Sequence, residues 1–145
     1  MVSQLVRLVV ITLLAAALLA GCGTRPVEPE PEPVTLAKDS PAGSLLERAR
    51  EARQAGELHA AGRYLERALG LQPGAPALYR ELVELRLQEG RPEAAEGLAL
   101  RALRRAPENP RWQSEIWDLI AEARARQGRT AEAMEARQRA RELRD

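Results

Sequence analysis

The sequence predicts an all-α solenoid of about three helical hairpins, six helices in all, and three observations carry that expectation. From Pro41 onward the chain is rich in Ala, Leu, Glu and Arg, which are strong helix formers, and it contains no Phe. Gly56, Ala61, Ala68 and Pro73 recur as Gly90, Ala95, Ala102 and Pro107, each displaced by 34 residues, and again as Gly128, Ala133 and Ala140, displaced by a further 38. Each of these glycines stands between two stretches with apolar residues at helical spacing, so the recurring unit is a helix, a turn and a second helix. Such a hairpin cannot bury both faces of its helices alone, and stacking one on the next completes the core.

Taken in order, Ser40-Pro41 supplies a cap and a first-turn proline for a helix ending near Gln54, and Gly56 permits the turn that follows. The second helix is expected from Glu57 to Leu71, stopping at Pro73-Gly74, with Ala61, Leu65, Ala68 and Leu69 on one face. The third, Ala77 to Glu89, presents Leu78, Leu82 and Leu85 on one face and Tyr79, Val83 and Leu87 around it, so it is expected to pack on more than one side. The fourth runs from Pro92 to Ala106. Asn109-Pro110 opens the fifth, which is longer by four residues and carries Trp112, Ile116, Leu119 and Ile120, with Trp117 beside them. Four residues advance a helix by about 6 Å and rotate it by only about 40° relative to a whole turn, which the stack tolerates. Thr130 is expected to cap the last helix, which runs to about Arg144 with Ala133, Ala136 and Ala140 inward.

Gly90-Arg91-Pro92-Glu93-Ala94-Ala95 followed by Ala102-Leu103 and Pro107, and Gly56 with Ala61, Tyr64-Leu65, Ala68-Leu69 and Pro73, resemble the tetratricopeptide repeat family over residues 42–145. Tyr79 and Leu82 stand where that family has its large aromatic and its leucine, and Trp117 plays the aromatic part in the third unit. Val83, Arg86 and Leu45 depart from the family pattern. The resemblance implies a tetratricopeptide-like solenoid that binds a protein or peptide on the surface made by the first helix of each hairpin. The candidates there are Leu46, Arg50 and Arg53 in the first unit, Arg80, Glu84 and Leu87 in the second, and Glu115, Asp118 and Glu122 in the third. The last three share a helix face at spacings of three and four, so the groove is expected to be basic at one end and acidic at the other. Charged residues on a helix face are also commonly no more than its solvated side. The family's clamp for chaperone tails needs Asn and Lys at set positions, whereas the one asparagine, Asn109, lies in a turn.

Ahead of this domain, Arg7 precedes thirteen residues, Leu8 to Ala20, that are apolar except for Thr12. A membrane-spanning helix needs about 20 apolar residues, so the run is short for a permanent anchor and suits a secretory signal. Leu19-Ala20-Gly21-Cys22 resembles the lipobox of bacterial lipoproteins, which implies a signal peptide over residues 1–21 and lipidation of Cys22, the only cysteine. Three acyl chains would anchor the chain stably, each buried methylene contributing about 0.8 kcal/mol. Gly23 in place of an inner-membrane-retaining Asp implies, by the same resemblance, an outer-membrane lipid anchor with the protein facing the periplasm. Residues 22–41 then form a tether in which Pro26, Pro29, Pro31 and Pro33 alternate with Glu28, Glu30 and Glu32, a composition that favours extended polyproline geometry.

Loss of residues 1–21 removes Arg7 and leaves 21 basic and 21 acidic residues, so the mature chain is neutral. It carries no positive field of the kind that draws a domain to nucleic acid. His59 belongs to no constellation, and there is no metal-ligand spacing and no glycine-rich phosphate loop. The sequence therefore points to no enzyme, no cofactor, no metal and no small-molecule substrate. The layout of lipobox, Pro-rich tether and short repeat domain is similar to activator lipoproteins of bifunctional peptidoglycan synthases in Gram-negative bacteria, and also to pilus-assembly lipoproteins. It implies an accessory factor that binds an envelope protein such as such a synthase, or alternatively a structural or assembly subunit of a pilus, secretion or outer-membrane complex.

Overall fold

The computed structural model describes residues 35–105 and 108–145; Cys22, the signal peptide and the tether as far as residue 34 lie outside the described residues. Six helices follow one another: α1 (Pro41–Gln54), α2 (Leu58–Leu71), α3 (Pro76–Gln88), α4 (Pro92–Arg104), α5 (Pro110–Arg126) and α6 (Thr130–Glu142). The pairs α1–α2, α3–α4 and α5–α6 form antiparallel hairpins, and α2–α3 and α4–α5 contacts join each hairpin to the next. Contacts of α3 with α1 and with α5 set the first helices side by side as one layer, with the second helices forming the other.

Local chemistry places the boundaries. The Ser40 hydroxyl accepts from Gly43 N at 2.9 Å, and Asn109 Oδ1 accepts from Trp112 N at 2.9 Å, each ahead of a first-turn proline. All three hairpin turns pass through a glycine with positive φ: +80° at Gly56, +71° at Gly90 and +78° at Gly128, a conformation that side-chain-bearing residues rarely adopt. The last helix corrects one expectation, since Thr130 is its first helical residue and Arg129 holds the N-cap position without a side-chain cap. The repeat register explains this, because Glu57 and Arg91 hold the same uncapped position in α2 and α4.

The core lies between the layers and α3 divides it. Leu78, Leu82 and Leu85 of α3 join Leu45, Leu46, Leu65 and the alanines of α1 and α2 in one cluster. Tyr79, Val83 and Leu87, on its other side, join Ala95, Ala99, Ala102, Trp112, Ile116 and Ile120 in a second. Tyr79 also donates to the Pro73 carbonyl at 3.0 Å, which ties α3 to the loop entering it. The recurring alanines Ala61, Ala68, Ala95, Ala102, Ala133 and Ala140 are all buried, their small side chains letting helix backbones approach closely. Ala95→Leu should therefore overpack the contact around α4 and cost about 1–3 kcal/mol. Thermal unfolding checks it: an unchanged melting temperature would mean that the hairpins are not stacked in this register.

Candidate protein-binding surface

The layer of first helices carries a ladder of glutamates, Glu47, Glu81 and Glu115, one per repeat and 34 residues apart. Arginines bridge its rungs. Arg50 reaches Glu47 at 2.8 Å through one terminal nitrogen and Glu81 at 2.6 Å through Nε. Arg80 pairs with Glu115 at 2.9 Å and lies 3.9 Å from Glu81, and Arg53 joins Glu81 at 3.2 Å and Glu84 at 2.8 Å. Glu81 is the middle rung and its side chain is only 4% exposed. A carboxylate there is retained because two guanidinium groups donate to it as it leaves water.

This arrangement changes the expected character of the surface. Arg50, Arg53 and Arg80 do not form a free basic end, because the ladder and Glu84 neutralise them. Leu46 and Leu87 are 2% and 4% exposed, which corrects the expectation that they stand on the surface. The cause is that each first helix meets two neighbours: Leu46 lies in the cluster of the first hairpin beside α3 residues, and Leu87 lies in the cluster shared with α5. The sequence also passed over Glu81, although the 34-residue recurrence of Glu47, Glu81 and Glu115 was there to be found.

Four of the expected acids come together. Glu84, Glu115, Asp118 and Glu122, with Arg80 and Leu119, line a groove of about 270 Å³ between α3 and α5. Partners hold its walls: Arg144 pairs with Asp118 at 2.7 Å, and Arg126 pairs with Glu122 at 2.5 Å while donating to the Leu87 carbonyl at 2.6 Å. Burial, followed by the nearby charge of Glu81, raises the Glu84 pKa above the ordinary carboxylate value, against the opposing pull of Arg53 and Arg80. The groove falls below the roughly 300–1,000 Å³ of small-molecule sites. Glu115, Asp118 and Glu122 are each paired with an arginine but keep 41–46% of their side chains exposed, which leaves carboxylate oxygens within reach of one or two basic side chains of a protein partner, with Leu119 to receive their aliphatic stems.

A second carboxylate cluster was not foreseen. Glu96 of α4 is buried and accepts from Arg124 at 2.7 Å, Arg129 at 2.6 Å and Gln127 at 3.0 Å, all contributed by the following hairpin. Burial opposes its charge, but the hydrogen bonds from Arg124 and Gln127 and the charges of Arg124 and Arg129 outweigh it and lower the pKa. Glu132 shifts the same way, held first by its hydrogen bond from Arg129. A folded pKa below the unfolded one adds stability that is complete above the unfolded value and is lost as pH falls through the folded one. The stability advantage of the wild type over Glu96→Gln should thus be full above about pH 5 and vanish through and below the ordinary glutamate range near 4.3. Urea unfolding at stepped pH measures it, and a pH-independent difference would show that the charge of Glu96 does not matter.

His59 is exposed on α2. Among the described residues no group of three or more His, Cys, Asp or Glu side chains could hold a metal ion, and no helix is long and apolar enough to cross a membrane.

Comparison with known proteins agrees with this geometry. The model of the tetratricopeptide repeat matches residues 52–116. The chain belongs to the tetratricopeptide repeat family, with three hairpins among the described residues. Among solved structures it is similar to the globular C-terminal domain of P. aeruginosa LpoP, with 38% identity and a TM-score of 0.69 over 71% of this chain and 97% of that one. No curated protein matches the chain.

Proposed function

We propose that this chain is a membrane-anchored, periplasm-facing protein-interaction module that serves as an accessory or activating factor of an envelope machine such as a peptidoglycan synthase. The observation that carries the reading is the similarity to the LpoP domain along almost all of that domain's length, at an identity well above what fold alone requires. The lipobox at Cys22 and the Pro/Glu tether support an outer-membrane anchor with reach into the periplasm. The acid-lined groove between α3 and α5 supports a protein partner that offers basic side chains.

Two measurements test the reading together. Labelled palmitate should enter the wild type and fail to enter Cys22→Ser. Cross-linked envelopes should yield a peptidoglycan synthase with the wild type, and Glu115→Lys combined with Glu122→Lys should weaken that association by about 2 kcal/mol or more. Recovery of pilus or secretin components alone would replace the synthase with an assembly role, and undiminished binding by the double variant would move the interface off the groove.

A further inference from the structure

The register that aligns the three second helices also aligns the stripe that each offers to whatever stacks next. Gly62, Leu65 and Leu69 of α2 correspond to Glu96, Ala99 and Leu103 of α4 and to Met134, Arg137 and Arg141 of α6. On α2 the stripe is covered by α3: Leu65 is buried, and a Cβ built on Gly62 would stand 3.7 Å from Leu85 Cδ2. On α4 it is covered by the α5–α6 hairpin, with Ala99 buried and Glu96 held by that hairpin's arginines. On α6 the same stripe is open. Met134 is 64% exposed, and with Glu135 and Gln138 it lines a shallow groove beside Arg137 and Arg141.

A face that served only to end the stack in water would need nothing but small and charged residues. This one carries a thioether, a flexible apolar side chain suited to an adaptable contact. It also carries Arg137 and Arg141, two exposed arginines with no ion-pair or hydrogen-bond partner among the described residues, at the positions where α2 has Leu65 and Leu69 and α4 has Ala99 and Leu103. We propose that this face of α6 is a docking surface for an acidic amphipathic helix of a protein partner, packed as α3 packs on α2 and α5 on α4. The occupant is a helix because the equivalent stripe accepts one twice within the chain. Its chemistry follows from the residues that differ: an apolar side chain meets Met134, and carboxylates about one turn apart meet Arg137 and Arg141, which are themselves one turn apart. This surface is separate from the α3–α5 groove and stands or falls independently of it.

The test uses the full chain in its own cells, with the photo-reactive residue benzoylphenylalanine in place of Met134. Irradiation should link one protein, and sequencing of the cross-linked peptide should place the link in a helical segment with carboxylates three or four residues apart. A synthetic peptide of that segment should bind the purified mature chain. Arg137→Glu combined with Arg141→Glu should lower its affinity at least tenfold with the melting temperature unchanged, while the charge-matched pair Arg63→Glu and Arg67→Glu on α2 leaves the affinity as it was. The proposal is overturned by no link at position 134, by a link to a second copy of this chain, or by a linked segment without carboxylates. Unchanged affinity in the α6 variant would also overturn it, as would a fall in that variant's melting temperature, which would mean that the arginines pack within the chain.

Discussion

Leu85→Ala is expected to destabilise the domain by about 2–5 kcal/mol, in the upper half of that range. Leu85 is fully buried and belongs to the cluster that holds Leu46, Leu65, Leu78 and Leu82. Its Cδ2 fills the space over Gly62 that no side chain from α2 occupies, so truncation leaves a cavity facing a residue that cannot reach into it. Nor can α3 slide toward the void, because its other side is committed to the second cluster through Tyr79, Val83 and Leu87. A site that cannot collapse keeps its cavity, and the cost of a large-to-small substitution grows with the cavity that remains. Urea unfolding of the non-lipidated mature chain measures the effect. Leu71→Ala, at a position 56% exposed, should stay within about 0.5 kcal/mol as a comparison. A cost below about 1 kcal/mol for Leu85→Ala would mean that α3 is free to repack and does not join two cores.

Glu81→Ala is expected to cost about 3 kcal/mol. The carboxylate is the shared acceptor of Arg50 and Arg53, and removing it takes away the buried partner that draws both guanidinium groups from α1 onto α3, leaving Arg50 with Glu47 and Arg53 with Glu84. Breaking a buried ion pair by deleting one partner commonly costs about 3–5 kcal/mol. The lower end applies here because the two arginine side chains are 29% and 24% exposed and regain some water. Glu81→Gln should cost less, since an amide oxygen still accepts. Because Glu81 itself is buried, the loss should largely survive at about 1 M salt, where pairs in free solution are screened. Disappearance of the effect at high salt would identify the ladder as a surface feature with no part in joining the hairpins.

The groove is where sequence and structure part. Glu115, Asp118 and Glu122 were legible because three acids at helical spacing share a face whatever surrounds the helix. Leu46 and Leu87 were placed on the binding surface because the first helix of each hairpin supplies it, but a second neighbouring helix buries those sides of α1 and α3. Arg50 and Arg53 were legible as a pair but not as ligands of Glu81, which lies 31 and 28 residues away. Glu96 gave no local sign, since its three donors stand 28 to 33 residues further on.

By itself the sequence determined what depends on local chemistry. The 34-residue period fixed the number of hairpins, glycines that tolerate positive φ fixed the turns, and caps with first-turn prolines fixed where α1 and α5 begin. The alternating leucines of α3 announced a helix packed on two sides. Only the tertiary structure decided which charges leave the water. It drew Glu81 and Glu96 inward, neutralised the arginines of the first helices and left the α6 stripe open. The reason is physical: a residue's periodicity fixes the direction in which its side chain leaves the helix, but its desolvation is set by the helix that stacks against it, which belongs to another repeat.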